Sequence, residues 1–257
     1  MHYQKNYLSN VVLRLDFEPV QALRQITKVD TKPEFSARFA DIYPFVVGQP
    51  TANLSVVIGP TGSGINQQIT GVQWNHRTEE NGTRAIALAS DFLSVEYGKK
   101  DYDHFPPFRT EVETALKALK ELYNVTHFTR IGLRYINEIS IPEGNALDWQ
   151  GLISAPLIAA VMAGKDTDAS VVRSMHQLHE RRDDCDMIFN YGLHNPDYPN
   201  SLVRRAFILD YDCSKSGVEA EQALQTISGL NKFCEGMFEN SIDGELRNKL
   251  GVILDGQ

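Results

Sequence analysis

Cysteine is scarce in this chain of 257 residues: Cys185, Cys213 and Cys234 are odd in number and form no Cys-x-x-Cys pair. That pattern excludes a disulfide framework and leaves a reduced, cytoplasmic compartment as the simplest expectation. Long hydrophobic runs are missing too. The longest, Leu152 to Ala163, contains Pro156 and is too short to span a bilayer, so no membrane association is expected. The amino terminus, Met1-His-Tyr-Gln-Lys-Asn-Tyr7, places no apolar run after a basic start, so no signal peptide is expected. Positive charge is in deficit, with 25 Lys and Arg against 33 Asp and Glu, a net charge of −8. General nucleic-acid binding draws its affinity from neutralised phosphates, and this balance argues against it.

The common catalytic signatures are also lacking. Gly59-Pro-Thr-Gly-Ser-Gly64 follows a strand pattern and has the glycine spacing of a phosphate loop. Ile65 and Asn66, however, occupy the positions where Lys and Ser or Thr would meet the phosphates and Mg²⁺. The next residues, Gln67 to Gly71, make a poor first helical turn, and a helix N-terminus is half of such a site. A hairpin tip is the expectation, with no nucleotide and no other cofactor. No Gly-x-Ser-x-Gly occurs, and no cysteine has a histidine placed beside it in sequence.

What the chain does have is an ordinary globular composition, 42% hydrophobic and 23% charged. Its clearest element is the segment Thr129-Arg-Ile-Gly-Leu-Arg-Tyr-Ile-Asn-Glu-Ile139. Strict alternation predicts a strand, with Ile131, Leu133, Tyr135, Asn137 and Ile139 on one face. Arg130, Gly132, Arg134, Ile136 and Glu138 fall on the other, where the glycine is expected to leave open backbone between two fixed cations.

Further strands are predicted at 11–17, 54–58, 71–77, 83–89 and 92–97, with an Asn81-Gly82 hairpin turn between the third and fourth. Pro19 opens a short helix, and the apolar spacing of Phe35, Phe39 and Ile42 predicts another. Pro106-Pro107 starts a strong amphipathic helix to about 123. Its buried stripe is Val112, Ala115, Leu116, Leu119 and Tyr123, with Glu113 and Lys117 paired on the wet side. After a connector holding an Ala-rich helix, strands are expected at 170–180, 186–193 and 204–212. A long helix from Val218 follows, with Ile227, Leu230, Cys234 and Met237 at core spacing, and a last helix is capped by Asp243.

Antiparallel strands followed by a long helix thus occur twice. The fold class expected is α+β: an antiparallel sheet, flat or curved, built from two similar strand-strand-strand-helix halves with the long helices packed on one side. The corresponding segments are a first α+β half at 1–141, a connector at 142–169 and a second half at 170–257.

The Arg130–Asn137 strand, Arg-Ile-Gly-Leu-Arg-Tyr-Ile-Asn, and the terminal Met237-Phe-Glu-Asn-Ser-Ile-Asp-Gly-Glu-Leu-Arg247 carry a family resemblance. Together with the early Tyr-x-Lys-Asn stretch, they resemble a sporadically distributed, largely uncharacterised bacterial protein family of about this length. The resemblance covers essentially the whole chain and implies no established activity. Patchy distribution of that kind implies mobile-element or defence-associated genes, antitoxins among them.

Candidate site residues follow from charge and position. His176 and His179 lie near Asp183, Asp184 and Cys185. Three residues apart on a strand they point to opposite faces, so no metal site is expected. Asp210 and Asp212 share one strand face opposite Phe207, Leu209 and Tyr211, and are expected to face water. Arg130 and Arg134, joined by Arg84 and with Asn137 at the strand end, are the expected ligand-binding residues, fixed donors for an anionic group. The expected function is a non-enzymatic binding protein of the bacterial cytosol, recognising a partner protein or a small anionic ligand. The competing expectation is a hydrolase using the His and Asp residues of the second half.

Overall fold

The computed structural model describes residues 2–59, 62–165 and 171–253. In chain order the elements begin with β1 (His2–Tyr3), β2 (Leu8–Asp16), α1 (Gln21–Arg24) and α2 (Glu34–Arg38). They continue with β3 (Phe45–Gly59), β4 (Gly62–Arg77), β5 (Ala85–Leu88), β6 (Phe92–Gly98), α3 (Phe105–Tyr123) and β7 (His127–Ser140). The remainder are α4 (Ala155–Lys165), β8 (Ser174–Arg182), β9 (Cys185–Leu193), β10 (Ala206–Glu219), α5 (Ala223–Ser241), α6 (Gly244–Leu250) and β11 (Val252–Ile253).

The chain is α+β, and its described residues form nine strands in one antiparallel sheet, ordered β3-β4-β5-β6-β2-β7-β10-β9-β8. The expected pair of similar halves is therefore corrected to a single large sheet. Strands longer than the sequence pattern suggests make this possible: β3 has 15 residues and β4 has 16. The small pair β1 and β11 stands apart as a two-stranded ribbon. None of the helices is long and apolar enough to cross a membrane among the described residues.

Two compact units divide the chain. One comprises Val12–Ile131 with Ser216–Thr226, the other Met1–Val11, Gly132–Lys215 and Ile227–Gln257. In the first, the meander β4-β5-β6 sets Trp74 opposite Leu88 and Ile86 opposite Val95, and all four are buried. Helix α3 covers this core with Phe108, Val112, Ala115, Ala118 and Leu119, and Phe108 meets Tyr97 of β6 edge-on at 5.1 Å. Its prolines sit in the first turn, where a missing N–H costs nothing, and Asn124 ends it in the left-handed conformation. Leu116 and Tyr123 are only half-buried, and Glu111 is buried in their place. On the wet side the pairs are Arg109–Glu113 and Lys117–Glu121, both at 3.8 Å, instead of Glu113–Lys117.

In the second unit, β10 is flanked by β9 in unbroken register from Phe207↔Leu193 to Lys215↔Cys185. Helix α5 lies on these strands: Tyr135 Oη donates to Asn231 Oδ1 at 2.6 Å, and the Cys234 and Cys213 thiols touch at 3.0 Å. The long helix expected from Val218 starts at Ala223, because β10 continues through a buried Val218 to Glu219. There the Ala220 N–H donates to the Thr126 carbonyl at 2.8 Å, and a short 3-10 turn, Ala220–Gln222, leads into the helix. Asp243 caps α6 as its sequence position requires, its Oδ1 accepting from the Gly244 N–H at 2.8 Å. Of the glycine-rich turn, Pro60 and Thr61 lie outside the described residues, as do 166–170 around the end of the connector. Gly62 already belongs to β4, so a strand follows the turn where a phosphate loop needs a helix.

His76 of β4 is buried among these packed elements. Its Nδ1 lies 3.1 Å from the Ile86 carbonyl oxygen and its Nε2 2.8 Å from Ser36 Oγ. A carbonyl only accepts, so Nδ1 carries the proton and Nε2 accepts from the serine. Burial holds its pKa below the usual 6.5, with the charge of Lys32 a lesser contributor in the same direction. The folded ring stays neutral, while the unfolded chain takes up a proton below about pH 6.5. The stability His76 contributes is therefore fully present above that pH and is lost as pH falls through it. Between pH 7 and 5 the unfolding free energy should drop, with His76 supplying a slope of up to about 1.4 kcal/mol per pH unit. Urea titrations of His76→Gln across that range should show a flatter pH dependence, and an unchanged slope would assign the effect elsewhere.

Candidate functional site

The four arginine and asparagine positions singled out by the sequence have different fates. Arg84, just before β5, reaches the carboxylate of Glu111, which α3 presents inward. Its side chain is 31% exposed and that of Glu111 only 6%. Tyr43 donates its hydroxyl to the same carboxylate, and Tyr97 does so at 2.9 Å. Arg84 Nε is also 3.3 Å from Tyr43 Oη, and the guanidinium lies 4.8 Å over the Tyr97 ring. Burial opposes the charge on Arg84, but the hydrogen bond and charge of Glu111 more than offset it and raise its pKa. The Tyr43 and Tyr97 hydroxyls are pushed up by burial first and by Glu111 second. Arg84 is thus the counter-ion of a buried carboxylate, closed in by two aromatic rings.

Arg130 on β7 is 3.9 Å from Asp16 of β2, which also takes a 2.7 Å bond from Arg14 Nε. Gly132 is buried, so the open backbone expected beside it is not there. Asn137 is buried on the apolar face of β7, and its Nδ2 donates to the Leu209 carbonyl at 3.3 Å.

Arg134 is placed otherwise. Its Nε and Nη2 donate to the two oxygens of Asp210 on β10, each at 2.7 Å, a bidentate pair. The Arg134 side chain is 44% exposed, the Asp210 side chain 7%. That hydrogen bond first, and the nearby acidic charges after it, raise the arginine's pKa against the effect of burial. Asn190 Nδ2 donates to Asp210 Oδ2 at 3.0 Å, and Gln177 Nε2 donates to Asn190 Oδ1 at 2.8 Å.

The register explains the chain of contacts, since Asp210 is directly opposite Asn190 and Asn190 opposite Gln177. Side chains opposite one another on adjacent antiparallel strands share a face and touch. A polar rung therefore crosses β7, β10, β9 and β8. Asp210 does not stand in water as its sequence pattern suggested; it is buried as the centre of this rung.

The neighbouring row is apolar: Ile208, Gly192 and Met175 lie opposite one another. Gly192 has φ +145°, and a Cβ there would stand 1.9 Å from the Ser174 carbonyl oxygen, so no other residue lets β8 come this close. Rung and row line a shallow groove of about 440 Å³, with Arg134, Ile136, Ile208, Met175 and Arg173 on its walls. Arg173 sits 5.5 Å from the Tyr198 ring centroid, and among the described residues it pairs with no carboxylate. The groove thus offers two guanidinium groups beside aliphatic side chains and amides. Sequence reasoning missed Arg173, Gln177 and Asn190 because only the strand register brings them beside Arg134.

His176 and His179 have separate surroundings. His176 stacks on Tyr191 with ring centroids 5.1 Å apart, while His179 Nε2 is 3.8 Å from Asp186. Among the described residues no three His, Cys, Asp or Glu side chains gather as metal ligands would. No family model matches the chain, and no curated protein or solved structure matches it.

The two arginine–carboxylate pairs should respond differently to substitution. Arg84→Met leaves Glu111 buried without a counter-ion and should cost about 3 kcal/mol, while the double variant Arg84→Met/Glu111→Leu should recover much of it. Arg134→Ala, which removes a side chain 44% exposed against 31% for Arg84, should cost less, about 1–2 kcal/mol. Urea unfolding of the three variants measures all of this. A loss at Arg84 no larger than that at Arg134 would refute the distinction.

Proposed function

We propose that this chain is a binding protein that takes an anionic group, borne by a partner protein or a small ligand, in the groove beside Arg134. The observation that carries this reading is the state of the Arg134 guanidinium. Two of its five N–H donors are committed to Asp210, which fixes the planar group in one orientation. The remaining donors border the groove, and Arg173 supplies the positive charge that Asp210 cancels at Arg134. A preoriented guanidinium loses little freedom on binding and accepts a carboxylate or phosphate in two-point geometry. The apolar wall of Ile136, Ile208 and Met175 suits the aliphatic part of the same ligand.

The arginine strand that lines the groove is also the segment resembling the sporadic bacterial family. On that resemblance we propose that the chain belongs to that family, as a cytoplasmic accessory, antitoxin or defence-associated component. Asp210 and the amides hold side chains in place in this reading, and no step of bond chemistry is required of them.

Calorimetry with inorganic phosphate and with an acetylated glutamate-rich peptide tests the groove. Binding should weaken with salt. Arg173→Ala should weaken it about tenfold while costing no more than about 1 kcal/mol of stability, since the side chain's contact with the exposed Tyr198 ring is a surface cation–π contact. Arg134→Lys should weaken it further despite keeping the charge. Failure of both probes to bind the wild type, or equal binding by all three proteins, would sink the proposal.

A further inference from the structure

The sheet ends at β8, and the outer edge of that strand pairs with no backbone among the described residues. Exposed edges are templates for further strands, and proteins that must stay monomeric blunt them. The opposite edge, β3, is blunted in three ways. Pro50 removes a donor, the register breaks between Thr51 and Ala52, and at Gly48 a Cβ would stand 2.6 Å from the Val29 carbonyl oxygen. Strand β8 has none of these devices. It contains neither proline nor glycine and pairs with β9 without a bulge over all nine residues.

The side chains along β8 say what fits the edge. On the helix-covered face, Tyr211 and Phe189 stack at 4.7 Å, both buried, and the row ends on Leu178, which is 43% exposed. An apolar row that reaches the edge half-bare needs an apolar continuation.

We propose that this chain dimerises through β8, which pairs antiparallel with β8 of a second copy about a two-fold axis at Leu178. Leu178 then meets Leu178 of the second copy, and the aromatic row becomes continuous through the junction. On the same face His176 falls opposite Glu180 of the second copy, a carboxylate that pairs with no cation within its own chain among the described residues. On the groove face Gln177 falls opposite His179, and Met175 opposite the aliphatic stem of Arg181.

Of the two neighbouring registers, the one centred on Gln177 would set Arg173 against Arg181, where like charges are destabilising, and the one centred on His179 would set Leu178 against Glu180. The Leu178 register opposes no like charges. Such an axis runs perpendicular to the sheet, so the two grooves open on one side of the dimer. The interface stands on its own residues and does not depend on what the groove binds.

Sedimentation or light scattering at micromolar concentration should give about twice the chain mass of 28.9 kDa. Leu178→Lys, which places two ammonium groups at the axis, should give the single-chain mass with an unchanged far-ultraviolet spectrum. Glu180→Arg should weaken the dimer at least tenfold. Hydrogen exchange should show alternate amides of β8 protected in the wild type and released in Leu178→Lys. A wild type of single-chain mass, or a dimer that survives Leu178→Lys, would overturn the proposal.

Discussion

The register of β10 on β9 and of β9 on β8 is the constraint on which the candidate site depends. Backbone hydrogen bonds set it, and in setting it they decide which side chains can meet. Asp210, Asn190 and Gln177 come from separate strands, and they form one rung only because each lies directly opposite the next. A slip of one residue would turn Asp210 into the core and Tyr211 out to solvent. Gly192 guards the register as well, since the close passage of the Ser174 carbonyl excludes any side chain there. The apolar faces then reinforce what the backbone specifies, with Phe189 and Tyr211 stacked beneath the rung.

The molecule uses the same chemical pair twice, to different ends. Arg84 and Arg134 each neutralise a carboxylate that is almost fully buried. Around Arg84 the surroundings are two tyrosine rings and their hydroxyls, so the charge is spent in holding α3, β6 and the Tyr43 segment together. Around Arg134 there are amides on one side and a groove on the other. A buried ion pair gains little net stability against an apolar substitute, so its retention points to orientation as much as to energy. At Arg84 that orientation is internal to the fold. At Arg134 it faces outward.

Much of the fold was legible because alternation and helical spacing are local. The face assignment of β7 could be read from Ile131, Leu133, Tyr135 and Ile139, and the helix stripe of α3 from Val112, Ala115 and Leu119, all of them buried. The Asp243 cap is likewise a matter of adjacent residues. What escaped was set by partners distant in sequence. Glu111 reads as one more polar residue until Arg84, Tyr43 and Tyr97 converge on it. The continuation of β10 past Asp212 runs up to the bond from Ala220 to Thr126, far upstream. Of the site, sequence reading gave Arg134 its face. It missed Arg173, and it grouped Arg84 and Asn137 with residues whose surroundings they do not share.

The two buried cysteines under α5 have a kinetic meaning. Cys213 belongs to the strand and Cys234 to the helix that covers it, and neither thiol is reachable from solvent while the helix is seated. The hydrogen bond with the Cys213 thiol and burial raise the pKa of Cys234, so it carries almost no reactive thiolate while the helix is seated. A thiol reagent must therefore wait for α5 to lift from β10. The rate at which it labels Cys234, set against the rate at half-exposed Cys185, is a clock for the opening of that one layer.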